Sequence, residues 1–295
     1  MKMKLFLLPV TMLFAVVTPS KAQTESPFDS VQQIKEVVIS TTRIPEMKSN
    51  AAASVTIIDH NQIAAMAKIA PDMSKLLGLL TPGMALSSNT TSSRSQSLRG
   101  RSALILIDGI PQSTPLRSTD RDIRTIDVSA IDHIEVVKGS TALYGNGAIG
   151  GLINIITKKD VTGKSIAGQT SLSGSTYNFF RQKRGQGYRL NQQLYGTVGK
   201  FDYLVNGTFG RTGSSIDGSG QFISPRYGLG DTYTTNALVK LGYALSPKNR
   251  LEFMYNFYRS LQDTKLIPSA GKYLQKPAIG ILGNKDPQAV DEGTR

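Results

Sequence analysis

The 295 residues carry 34 Lys plus Arg against 21 Asp plus Glu, a formal charge of +13, with 39% hydrophobic residues, two His and no Cys. The chain is too apolar to be disordered, and the lack of Cys excludes a disulfide scaffold, a thiolate zinc site and a cysteine nucleophile. The basic residues are scattered rather than gathered on one element, so no nucleic-acid partner is expected, whereas an anionic ligand or an anionic membrane surface fits. Residues 1–22 read as a cleaved signal peptide: Lys2 and Lys4, the mostly apolar run Leu5–Val17, then Ser20-Lys21-Ala22 with small residues at the positions a signal peptidase reads. The run has 13 residues, fewer than the ~20 a membrane-spanning helix takes. Export without cysteine suits a bacterial envelope protein.

Residues 23–33 are polar and aperiodic, as a tether would be. Val37, Val38 and Ile39 are then β-branched or apolar, suited either to strand addition on a partner's sheet edge or to the first core strand of the next domain. Up to about residue 160 the pattern mixes short apolar strands with helices. Ser54–Ile58 is a predicted strand. Asp59 is placed to cap a helix carrying Ile63, Met66 and Ala67, and Asp72 a second one carrying Leu76, Leu77 and Leu80, stopped at Pro82-Gly83. Ala103–Ile107 is a predicted strand that turns at Asp108-Gly109 into a hairpin. Ile134–Val137 and Leu152–Thr157 complete the core. His60 and His133 read as ordinary structural residues, since their spacing fits no metal site.

After Lys159 the period becomes two. Tyr188, Leu190, Leu194 and Val198 share one strand face, with Arg189, Asn191, Gln193 and Thr197 on the other. Tyr203, Val205 and Phe209 alternate with Asp202, Asn206 and Thr208. Tyr233, Val239, Leu241 and Tyr243 oppose Thr234, Asn236, Leu238 and Lys240; Leu251, Phe253, Tyr255 and Phe257 oppose Glu252, Met254, Asn256 and Tyr258. Ser165–Ser173 is a weaker strand ahead of these. Short turns at 199–202 and 246–249 alternate with the longer links 174–186 and 211–231, the rim asymmetry of an outer-membrane barrel. Tyr233 and Tyr243 stand ten residues apart, ~33 Å along a strand and about 24 Å when tilted by ~45°, close to the ~25 Å apolar band between aromatic girdles. A soluble β-sandwich shares the alternation, but its strands are usually shorter.

Three blocks between Lys35 and Lys159 resemble the plug domain of TonB-dependent outer-membrane receptors. The first is Glu36-Val37-Val38-Ile39-Ser40-Thr41-Thr42-Arg43. The second joins Leu98-Arg99-Gly100-Arg101 to Leu104-Ile105-Leu106-Ile107-Asp108-Gly109-Ile110-Pro111. The third is Ile131-Asp132-His133-Ile134-Glu135-Val136-Val137-Lys138-Gly139, continuing through Ala142-Leu143-Tyr144-Gly145 and Gly150-Gly151-Leu152-Ile153-Asn154-Ile155-Ile156-Thr157-Lys158. Within that family the Arg-rich stretch 115–124 and the third block look most like receptors for ferric siderophores of the aerobactin type.

The resemblance implies an α+β plug followed by the first strands of an antiparallel transmembrane β-barrel, in four parts: signal peptide 1–22, tether and TonB box 23–43, plug 44–160, and about five barrel strands in 161–295. It implies contact of Glu36, Val37, Val38, Ile39, Ser40 and Thr41 with a periplasmic TonB-type energy-coupling protein. Arg99 and Lys138 are implied to meet glutamates of the barrel wall. Arg94, Arg117, Arg121 and Arg124, together with Arg181, Lys183 and Arg184, are expected to form a cationic vestibule for a ferric siderophore, which is transported ligand rather than cofactor. Basic loops facing outer-membrane lipid and lipopolysaccharide are the other use of that charge. A non-iron ligand such as cobalamin or a glycan, and a passive channel, are the alternatives.

Gly145-Asn146-Gly147-Ala148-Ile149-Gly150 also matches the dinucleotide fingerprint G-x-G-x-x-G. A β-type run follows it where a helix is needed, and no acidic residue stands about 20 positions on, so the glycines are read as tight-packing residues. No nucleophile with an adjacent base and no paired carboxylates stand out, so an enzyme is not expected. Plugged transporters close with about 22 strands, so five imply the N-terminal piece of a receptor.

Overall fold

The computed structural model describes residues 38–39, 46–47, 54–90, 93, 96–112, 122–140, 144, 147–159, 164–176, 185–225, 229–272, 274–283 and 291–292. The signal peptide and most of the tether lie outside them, as do Glu36, Val37, Ser40, Thr41, Arg94, Arg117, Arg121 and the basic residues of 181–184.

β1 (Val38–Ile39) and β2 (Glu46–Met47) pair antiparallel as a two-stranded ribbon. β3 (Ser54–Ile58) leads into α1 (His60–Ile69), which opens with a capping box: Gln62 N–H donates to Asp59 Oδ1 at 2.9 Å and Asp59 N–H to Gln62 Oε1 at 3.0 Å. α2 (Met73–Leu80) is capped by Asp72, whose Oδ1 accepts from Lys75 N–H at 3.2 Å. β4 (Ala103–Ile107) and β5 (Ile110–Pro111) form the hairpin expected at Asp108-Gly109, with positive φ at both turn residues. Short 3₁₀ turns at Asp122–Arg124 and Val128–Ala130 precede β6 (Ile131–Lys138) and β7 (Gly151–Thr157).

The five strands order as β3-β6-β7-β4-β5, antiparallel except for the parallel pair β4–β7. β1 stands outside this sheet. One sheet face packs Ile105, Ile107, Ile134, Val136, Ile153 and Ile155 against Ile63, Leu76 and Leu77 of the helices. The other face carries a smaller cluster of Leu104, Leu106, Ala148 and Leu152, with Val137 and Tyr144 against it. The glycine-rich segment lies between β6 and β7, and a strand follows it, so the dinucleotide reading fails on context.

β8 (Ala167–Thr176), β9 (Gln186–Val198), β10 (Phe201–Thr212), β11 (Thr232–Ala244) and β12 (Arg250–Gln262) form an antiparallel meander. Beyond it come β13 (Leu266–Ser269), β14 (Ile279–Leu282) and β15 (Asp291–Glu292). β13 and β14 make a separate hairpin. β15 pairs with Ser260 and Leu261 of β12. The six-stranded sheet β15-β12-β11-β10-β9-β8 does not close on itself among the described residues.

The polarity of this sheet is inverted relative to a soluble protein. Its apolar face is bare: Val205 is 39% exposed, Phe253 58% and Tyr255 52%. Its polar face is buried, with Asn206 at 1% and Lys240 at 3%. A water-soluble sandwich buries the opposite set, so the outward face is one made for hydrocarbon. Register places Tyr188, Arg211 and Tyr233 in one row near the long-loop rim and Phe201 opposite Tyr243 near the short-turn rim, giving two aromatic girdles. Among the described residues no helix is long and apolar enough to cross a membrane.

Candidate functional site

The polar faces of β9 to β12 meet the α/β domain along a seam of hydrogen bonds and ion pairs. At its centre the Asp108-Gly109 turn points a carboxylate at the wall. Asp108 accepts from Thr157 N–H at 3.0 Å and Thr157 Oγ1 at 2.7 Å, and Lys240 Nζ of β11 donates to Asp108 Oδ2 at 2.8 Å. Lys240 also reaches Thr157 Oγ1 at 2.9 Å and Glu252 at 3.1 Å, with its side chain 4% exposed. Glu252 in turn meets Arg250 at 3.4 Å, and Arg250 meets Asp202 at 2.6 Å. A buried ammonium is tolerable only when paired and hydrogen-bonded, and two carboxylates and a hydroxyl meet that need.

A second cluster surrounds the 3₁₀ turn at 128–130. Asp127 pairs with Arg189 of β9 and accepts from Ser129 N–H at 2.9 Å. Gln193 Nε2 donates to the Ser129 carbonyl at 3.1 Å, while the Ser129 hydroxyl lies 3.0 Å from Asn206 Oδ1. Asn236 and Asn256 both donate to the Thr125 carbonyl, at 2.5 and 3.0 Å. Amides from three wall strands thus donate to backbone carbonyls at the edge of the α/β domain.

Further along the wall a cleft of about 870 Å³ separates α1 and the start of α2 from the inner faces of β8 to β11. His60, Lys68, Arg124 and Lys158 line one side of it, and hydroxyl-bearing residues such as Ser173 and Thr234 the other. Burial pushes the Lys158 ammonium down from its ordinary value, against the pull of Asp132 and Asp127.

Of the residues expected at the wall or the ligand, three have described side chains. Arg99 sits at φ 53 in the turn where Leu98 N–H bonds the Arg101 carbonyl, and Lys138 ends β6 opposite Ser54 and Gly151. Neither pairs with a described carboxylate. Arg124 holds the plug core together: Nε lies 3.0 Å from both Ser74 Oγ and Ser93 Oγ, and Nη1 lies 3.1 Å from Asp72. Val38 and Ile39 pair with Met47 and Glu46. The sequence reading did not single out Asp108, Asp127 or Lys240 as wall contacts. The available signal was Lys240 itself, a cation in mid-strand on a face otherwise built of neutral residues.

Residues 47–152 match the family described as the TonB-dependent receptor plug domain. The rhizobactin receptor of Rhizobium meliloti (strain 1021) is 31% identical over 254 residues, covering 80% of this chain and 32% of that protein. The ferric aerobactin receptor of Klebsiella pneumoniae is 34% identical over 122 residues, 41% of this chain and 16% of that one. In fold the chain is similar to the alcaligin outer-membrane receptor of Bordetella pertussis, with a TM-score of 0.57 at 16% identity over 76% of this chain and 35% of that one. The pyoverdine outer-membrane receptor of Pseudomonas aeruginosa PAO1 gives 0.54 at 20% identity over 76% and 30%. The chain spans about a third or less of the length of the curated relatives named here. An α/β plug fastened by a polar seam to strands that are apolar outside and polar inside accounts for both sets of likenesses, and residues 47–152 are a TonB-dependent receptor plug domain.

Proposed function

We propose that the chain is the plug and first wall strands of an outer-membrane receptor that binds and imports an anionic ferric siderophore, driven by a TonB-type protein. The observation that carries this reading is the seam: a passive channel has no use for an α/β domain held across its lumen by Lys240, Arg189 and the wall amides. The siderophore relatives and the cations lining the cleft support an anionic chelate as cargo. On this reading residues 1–22 direct export, the bare apolar face of β9 to β12 meets outer-membrane lipid, and basic loop residues meet lipopolysaccharide. Arg99 and Lys138 are proposed to meet glutamates on wall strands other than β8 to β12.

Two experiments in a full-length receptor carrying this sequence test the assignment. Glu36 to Thr41 are proposed to pair by backbone with the energy-coupling protein. Val38→Pro removes a donor and fixes φ, so ligand binding at the cell surface should persist while uptake vanishes. Unchanged uptake would exclude this segment. Arg94, Arg117, Arg121 and Arg124 are proposed to face the ligand, and a guanidinium forks onto carboxylate or hydroxamate oxygens. Because Arg124 also ties Asp72 to the serines, the clean test is Arg117→Ala with Arg121→Ala. The pair should weaken binding of a ferric carboxylate–hydroxamate chelate by at least about tenfold with normal expression. Equal affinity for neutral cobalamin, or unaltered chelate binding in the double variant, rules the ligand class out.

A further inference from the structure

His133 stands between two carboxylates, with Nδ1 2.7 Å from Asp132 and Nε2 3.5 Å from Glu135. The Glu135 side chain is 1% exposed, and its second oxygen accepts from Asn154 Nδ2 at 3.3 Å. That bond orients the Asn154 amide, and its Oδ1 accepts from Gly109 N–H at 3.0 Å. Gly109 follows Asp108, the carboxylate that Lys240 holds from the wall. The contacts form one continuous chain from β6 through β7 to the β4–β5 turn and on to β11. Both turn residues have left-handed φ, 48° at Asp108 and 81° at Gly109, which Asp-Gly accepts, and the Asn154 bond to Gly109 N–H fixes where the turn sits.

We propose that His133 is a positioning residue for the plug–wall contact: as an imidazolium it pairs with the Glu135 carboxylate, which orients Asn154 and thereby holds the Asp108-Gly109 turn where Lys240 binds it. An ionised Glu135 can only accept, so Asn154 presents its amide nitrogen to it and its oxygen to Gly109. A protonated Glu135 could donate instead, turning the amide and setting its nitrogen against the Gly109 N–H. The surroundings favour the charged ring. Hydrogen bonds donated to Asp132 and then to Glu135 raise His133 to about 9 against the effect of burial. The same bond to His133 lowers Asp132, although burial opposes it. His60 of α1 and Lys158 beyond β7 also act on Asp132, and Asp127 acts on Lys158.

The sign follows from the raised value. His133 contributes stability in full below its unfolded value of 6.5, and that contribution is lost as pH rises through about 9.

The test is site-resolved amide hydrogen exchange in the full chain refolded in detergent micelles. At pH 7.5, His133→Gln should speed exchange at Gly109 and Thr157 about tenfold, the equivalent of one pKa unit of lost coupling, while β11 and β12 amides keep their rates. His133→Arg, which keeps the cation, should restore protection. Acceleration confined to residues 131–136 would overturn the proposal, since a purely local role predicts it. Should His133→Gln fail to fold, wild type and His133→Arg decide: Gly109 protection should fall between pH 8 and 10 in wild type and stay level in His133→Arg. A level profile in both, or an equal fall in both, would also overturn it. The exchange test does not depend on the transported ligand.

Discussion

Replacing Lys240 with methionine is expected to destabilise the chain by about 3–5 kcal/mol, because it leaves a buried carboxylate facing the wall without its partner. Asp108 would keep its two bonds from Thr157 but lose the ammonium at 2.8 Å, and Glu252 would lose it at 3.1 Å. Methionine has similar length, so the loss is of charge rather than of packing. Urea unfolding in micelles, followed by tyrosine fluorescence and by protease resistance of the plug, measures it. Removing the stranded charge as well, in Lys240→Met with Asp108→Asn, should recover part of the loss, and the cycle gives the coupling between plug and wall. A single-variant cost under about 1 kcal/mol would mean that water replaces the ammonium and that the seam is not sealed there.

Gly151→Ala should be as damaging for a different reason. Gly151 has φ 138°, and a Cβ built there would run into the Val137 carbonyl oxygen and come within 2.9 Å of Leu98 Cδ2. Its neighbour Gly150 is closed by three carbonyl oxygens, of Arg101, Leu98 and Ser102, at 2.7 to 2.9 Å from such a Cβ. Backbone strain and overpacking each cost about 1–3 kcal/mol, so a combined loss of about 4 kcal/mol is expected. It should appear as a plug cut early in limited proteolysis while β9 to β12 stay protected. Gly207→Ala is the control, since its Cβ would meet nothing within 4 Å and φ there is not positive. If both variants resist protease alike, the close passage of β7 beneath the Leu98 turn is not what holds this region.

Much of the local architecture was legible in residue order. Asp59 and Asp72 cap the two helices because a short acidic side chain ahead of an apolar stripe can serve the free amides of the first turn. Asp108-Gly109 turns because both residues tolerate positive φ. The faces of β9 to β12 were readable because side chains alternate with period two wherever a strand runs straight. The β13–β14 hairpin was not, since its strands are four residues each and Pro268 interrupts the first. Arg124 was read as a loop arginine for ligand, and nothing in its neighbours revealed that Ser74 and Ser93 would fold onto it.

What the amino-acid order determined by itself was therefore local: caps, turns, the change of period near residue 160, and which side of each wall strand is polar. These follow from interactions spanning a few residues, whose geometry the backbone imposes. Which polar residues meet was decided only by the tertiary structure. Asp108 and Lys240 are 132 positions apart, Asp127 and Arg189 62, and Thr125 and Asn256 131. A buried charge must find a counter-charge wherever the chain brings one, and its own neighbours in sequence do not name it. His133 shows both sides: its partners Asp132 and Glu135 are its neighbours along the strand, but only the fold buries Glu135 and sets Asn154 across the sheet from it.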